Sequence, residues 1–152
     1  MSAQDRSAPE GAAKDATAAI QAISRTARFN QRLALEVLSA GAGRAEIRVP
    51  WHDDLGQYAG FLHAGVVGAL VDTVCGFAAA TVSGRVIAAH YAVNFLSPAV
   101  GRAFVARGRV VRGGRRQIFT AAEVFALQAD GTEKLVATGE TLLLAPEEPK
   151  AA

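Results

Sequence analysis

Asp72 stands in the middle of "HAGVVGALVDTVCGFAAA", residues 63–80, a stretch with almost no other polar side chain. An ionised carboxylate in an apolar setting is costly unless it is paired or its pKa is raised, so it calls for a chemical reason. Its alternatives are a base or nucleophile on the one hand, and a structural partner of an arginine or a helix start on the other. His63 begins the same stretch, where a helix dipole favours the neutral imidazole, so it suits a hydrogen-bonding scaffold better than an acid or base. From Thr73 to Ala122 there is no Asp or Glu, while Arg85, Arg102, Arg107, Arg109, Arg112, Arg115 and Arg116 fall in that span. Such a field fits an anionic ligand, or else a solvated face that uses arginine. Cys75, the single cysteine, reads as a small buried hydrophobe, and His52 as a surface histidine.

The elements that position these groups follow from periodicity. Residues 1–13, rich in Ala, Ser, Gly, Pro and charge, read as a disordered tail. Residues 14–30 carry a short helix with Ile20, Ile23 and Ala27 on one face and Asp15 or Thr17 as cap. The domain proper spans residues 31–146. It opens with "RLALEVLSA" and "GRAEIRVPW", two alternating strands around "GAG". A polar loop, "WHDDLGQYAGFL", leads into a helix from His63 to about Thr81, stopped at Gly84. Four strands follow and read as a meander: "RVIAAHYAVNFLSP", "GRAFVARGRVVRG", "RRQIFTAAEVFALQ" and "EKLVATGETLLLA". A helix apolar on all sides must be buried on all sides. The economical α+β architecture is a curved antiparallel sheet wrapped around that one long helix, the hot-dog fold.

Composition agrees with one globular domain: 152 residues, 51% hydrophobic, 20% charged, net charge +2. The N-terminus has no apolar signal core, and only the Asp-bearing helix approaches the length and apolarity of a membrane span, so a cytoplasmic protein is expected. No zinc-ligand spacing or phosphate-binding GxxxxGK[ST] loop occurs, so neither metal nor cofactor is expected.

"GQYAGFLHAGVVGALVDTVCGFAA", "VNFLSPAVG" and "RVVRGGRRQ" together resemble the PaaI-like acyl-CoA thioesterases, a hot-dog family that includes hydroxybenzoyl-CoA thioesterases. The resemblance runs from about Arg32 to Ala145. It implies that Asp72 is the catalytic carboxylate and that Gln57 polarises the thioester. It also makes the Ala64 backbone N–H the donor to the thioester carbonyl, with His63 and Gly65 the ends of the family's His-Gly-Gly signature. Ala64 replaces the first glycine of that signature and keeps the N–H. Ala88 stands where many relatives carry a Ser or Thr near the attacking water, which leaves His90, read as sharing its strand face, as the candidate to hold that water. The resemblance further implies that the "RGGRR" turn, with Arg112, Arg115 and Arg116, and the strand around Asn94 bind the phosphates of coenzyme A.

Thioester hydrolysis needs a polarised carbonyl and a delivered nucleophile. Unpaired N–H groups at the helix start supply the first, and Asp72 the second, as general base or by direct attack to a mixed anhydride. Ala64 and Asp72 are eight residues apart on one helix, about 12 Å along its axis. One chain cannot bring both to one carbonyl. A homodimer with two shared sites, and a dimer of such dimers, is therefore expected. The competing functions are a hot-dog hydratase or dehydratase and a non-catalytic acyl-CoA-binding domain. Nucleic-acid binding is disfavoured, because the Arg-rich strands lack interleaved aromatic residues.

Overall fold

The computed structural model describes residues 10–147, with side chains from residue 16 onward. Two helices open the chain, α1 (Glu10–Thr26) and α2 (Arg28–Arg32). The strands β1 (Glu36–Gly41) and β2 (Arg44–Pro50) precede the long helix α3 (Ala64–Ser83), and β3 (Ile87–Phe95), β4 (Ala103–Gly113), β5 (Gln117–Leu127) and β6 (Glu133–Leu144) complete it. All six strands form one antiparallel sheet in the order β1-β2-β4-β5-β6-β3, and α3 packs against every one of them. This is the hot-dog architecture.

The sheet comes close to α3 because of what faces it. Ala45, Gly108, Ala122, Gly139 and Val93 are register partners in a row across β2, β4, β5, β6 and β3. A Cβ on Gly139 would lie 2.6 Å from Val71 Cγ1, and one on Gly108 would lie 2.7 Å from the Val74 carbonyl oxygen. Small residues along this row thus form the trough in which the helix lies. Val67, Leu70, Val71, Val74, Cys75 and Ala78 fill it, each nearly or wholly buried. Among the described residues α3 alone has the length and apolarity of a membrane span, and the sheet wraps it as the core helix.

Several expectations change. The four later strands are not a meander: β4, β5 and β6 are, but β3 pairs with β6 at the far edge, and β4 crosses over to pair with β2. The first helix begins at Glu10, so only residues 1–9 of the expected tail lie outside the described residues. Extended backbone at Ala27 splits the expected single helix into α1 and α2. Ile20 is buried, but Ile23 is 56% exposed. Thr17 is no cap; its Oγ1 donates to the Ala40 carbonyl and accepts the Ala40 N–H. β1 starts four residues later than Arg32, after a left-handed turn at Ala34 (φ 49°). The β1–β2 hairpin turns through Ala42 and Gly43, both at positive φ, which matches the twist of the flanking strands. Gly84 ends α3 at φ 69°, a region that favours glycine.

Candidate active site

The start of α3 is built by local hydrogen bonds. His63 is its N-cap, with extended backbone, and its Nδ1 accepts the Gly65 N–H at 2.8 Å. A Cβ on Gly65 would lie 3.0 Å from that Nδ1, so glycine leaves the imidazole room. With Gly65 taken by the cap, the Ala64 N–H has no partner among the described residues. Gln57 is fixed in the preceding turn: its Oε1 accepts the Ala59 N–H at 2.5 Å, and its backbone N–H donates to the Phe61 carbonyl. That orientation leaves the Gln57 Nε2 as the available donor. Gln57, His63 and Ala64 line a single cavity of about 590 Å³, with Phe95 and Leu96 at the end of β3 on its far wall.

Asp72 lies in a different cavity, of about 910 Å³, between α3 and the N-terminal helices. It makes no hydrogen bond or ion pair with another described residue, and partial burial raises its carboxyl pKa above the ordinary value. Thr73 lines the same cavity, a hydroxyl that motif reasoning passed over although it is the next residue in the sequence. Ile20 and Asn30 also line it, and no sequence signal linked the N-terminal helices to this site. Cys75, behind Asp72, is fully buried, and burial pushes its thiol pKa up.

Within one chain, therefore, the structure brings Gln57, His63, Ala64 and Gly65 together and keeps Asp72 apart from them. His90 joins neither group. Ala88 pairs with Leu143 but His90 pairs with Leu142, because a bulge inserts one extra residue in β3. Ala88 stays on the helix-facing side and lines the Asp72 cavity, whereas His90 turns to the outer face, contrary to the shared face expected from alternation. His90, Leu142, Phe119 and Arg112 form one row of register partners across that outer face. Asn94, paired with Thr138, also points outward.

The arginine-rich span is partly neutralised by acids from elsewhere in the sequence. Arg107 pairs with Glu46 at 3.0 Å and Glu133 at 2.7 Å, and Arg116 pairs with Glu147. Arg112 and Arg115 have no carboxylate partner among the described residues. Arg115 and Arg116 border a cavity of about 640 Å³ with Gly114, Gln117 and Leu144.

Known proteins share this fold. Residues 59–131 match the Thioesterase superfamily, a span that takes in α3 with Asp72 and the strands β3, β4 and β5. A thioesterase family protein from Silicibacter pomeroyi superposes with a TM-score of 0.81 at 31% identity, over 85% of this chain and 96% of that one. A variant of the phenylacetic acid degradation protein PaaI from Thermus thermophilus superposes with a TM-score of 0.69 at 25% identity, over 79% of this chain and all of its own (100%). A Saccharolobus solfataricus protein whose name provisionally assigns it as an esterase is 28% identical over 134 residues, 86% of this chain and 94% of its own. With its fold and sequence matched together, the chain belongs to the thioesterase superfamily of hot-dog proteins.

Proposed function

We propose that this protein is an acyl-CoA thioesterase and that it works as a homodimer with two shared active sites. The observation that carries this reading is the separation of two complementary half-sites on one helix. An unpartnered Ala64 N–H beside the Gln57 amide lines one cavity, and an unpaired, raised-pKa Asp72 lines another. In each site the Ala64 N–H and Gln57 Nε2 of one protomer bind the thioester carbonyl oxygen, and Asp72 of the other supplies the nucleophile. As base, Asp72 takes a proton from the attacking water. As nucleophile, it forms a mixed anhydride that water then opens. Either way the C–S bond breaks, and the thiol of coenzyme A leaves with a free acid.

The sheet edges support this assembly. β1 is covered by α1, through the Thr17 bonds to Ala40 and the Gln21 Nε2 bond to the Val37 carbonyl. β3 is the open edge, largely exposed along its length, with Ile87, Tyr91 and Phe95 each more than 45% exposed. An uncovered apolar edge calls for a partner strand. Pairing β3 with its own copy, antiparallel about Ala92, keeps opposed residues on the same face of the sheet and, counted through the bulge between Ala88 and His90, sets Ala88 against Phe95 of the partner subunit. Because Ala88 borders the Asp72 cavity and Phe95 borders the Ala64 cavity, that pairing unites the two half-sites.

Release of free thiol from a panel of acyl-CoA thioesters tests the reading. Thiol release abolished by Asp72→Asn supports it. A change in enoyl absorbance without thiol release would favour a hydratase instead, and binding without turnover would favour a carrier or sensor.

A further inference from the structure

The cavity that holds Asp72 extends well past the carboxylate. Asp72, Gly76, Ala80 and Gly84 recur at four-residue spacing and all lie on its wall, so it follows one face of α3 to the C-terminal end. At about 1.5 Å per residue those twelve steps run roughly 18 Å. Ile20 and Ile23 of α1 form its roof, and Leu143 of β6 faces them. This roof lies outside the residues 59–131 that match the superfamily.

Gly76 stands out among the glycines that face the interior. Glycine inside a helix is destabilising relative to alanine, a cost usually explained by a neighbour too close for a Cβ. Gly108 and Gly139 have such neighbours, but a Cβ on Gly76 would meet nothing within 4 Å. Its missing side chain leaves open space one turn beyond Asp72. Most hydroxyl and amide groups on the chamber wall are already engaged. Thr81 Oγ1 donates to the Ala78 carbonyl and accepts the Gly43 N–H, Thr26 Oγ1 donates to the Ile23 carbonyl, and Asn30 Nδ2 donates to Ser24 Oγ. What the chamber offers a ligand is chiefly apolar surface, with Arg85 at its far end.

Resting on the thioesterase reading above, we propose that this chamber holds the acyl group of the substrate. Gly76 keeps open the passage beside the scissile carbonyl, and α1 is the wall that sets specificity. The substrate class is then a thioester of an extended, apolar acyl chain, not of a short acyl group. Each methylene moved from water onto such walls favours binding by roughly fourfold.

The test compares acetyl-, hexanoyl- and decanoyl-CoA on the wild type and on Gly76→Leu and Ile23→Ser. For the wild type, kcat/KM should rise at least about tenfold from acetyl to decanoyl. Both variants should lower the decanoyl-to-acetyl ratio, Gly76→Leu by about tenfold or more because it fills the passage. Hydrolysis of all three substrates with the ratio unchanged in both variants would place the acyl group elsewhere and leave the thioesterase reading standing. Methyl NMR shifts of Ile20 and Ile23 on adding decanoyl-CoA to Asp72→Asn give a readout free of turnover. Shifts at these residues without any wild-type hydrolysis would sustain the chamber and overturn the thioesterase; their absence at saturating ligand would overturn the chamber. Light scattering covers the remaining outcome: a Gly76→Leu protein that dissociates would assign the open space to a partner helix, against the proposal.

Discussion

The Nδ1 of His63 accepts the Gly65 N–H at 2.8 Å, and this bond decides which amide at the start of α3 stays open to a ligand. The cap takes the second amide of the helix and leaves the first, on Ala64, unpartnered among the described residues in the wall of the cavity that Gln57 also lines. In the proposed site His63 is thus a positioning residue. Replacing it with Ala should cost about 1 kcal/mol of stability and lower kcat about tenfold or more. His63→Asn, which keeps a capping oxygen, should recover most of both. Denaturant melts and thiol-release kinetics on the pair check this; equal losses in Ala and Asn variants would mean that the imidazole has another role.

Asp72 is half-buried without a partner among the described residues, so its folded-state pKa lies above the ordinary value, and desolvation alone is the cause. Two consequences follow with definite sign. In the proposed reaction Asp72 acts as the carboxylate, so kcat/KM should fall on acidification with a midpoint above that of an exposed aspartate, and Asp72→Asn should lose at least about a hundredfold in turnover. A raised pKa also means that folding favours the protonated acid. That stabilisation is fully present below the unfolded pKa of about 4 and is lost as pH rises through the folded value. Asp72→Asn should therefore melt higher than the wild type at pH 7, with the gap closing as pH falls toward 4. A variant that melts lower at pH 7 would mean that the carboxylate has a stabilising partner.

The helix, its end at Gly84 and the number of strands were legible because each has a local signature: an apolar run, a positive-φ glycine, alternation. The separation of Ala64 from Asp72 was legible too, since helical rise turns sequence distance into length. The place of β3 was not, because no local pattern records which strand pairs with which. Nor was the face of His90, since one bulged residue inverts every alternation counted through it. The start of α1 was misplaced for a different reason: "EGAAKDA" has strong helix formers but no apolar period, and periodicity was the guide. Arginines that look unopposed in sequence meet Glu46, Glu133 and Glu147 in space.

Those pairings sharpen the expectation for coenzyme A. Arg115 has no carboxylate partner among the described residues, whereas Arg116 is held by Glu147. If the cavity they border takes a phosphate, Arg115→Ala should raise KM for acyl-CoA on the order of tenfold. Hydrolysis of a simple thioester without the nucleotide should not change. Glu147→Gln should release Arg116 and lower KM. Equal effects of Arg115→Ala on both substrates would make the residue structural.

The shared site has the most direct test, and the geometry of the helix start makes it a clean one. Ala64 is the first residue of α3, its N–H bonds to nothing among the described residues, and His63 before it sits at φ −62° and ψ 137°. That is the backbone a residue preceding proline adopts, so Ala64→Pro removes the N–H without opposing the helix. Homodimers of Ala64→Pro and of Asp72→Asn should each be nearly inactive. In a mixed dimer one site collects both lesions, while the other joins an intact Ala64 amide to an intact Asp72. Refolding the two together should then restore roughly half of the wild-type activity per mixed dimer. Mixed dimers proven by mass but without activity would place the amide and the carboxylate of one chain in one site, and the pairing of half-sites across β3 would fall with that result.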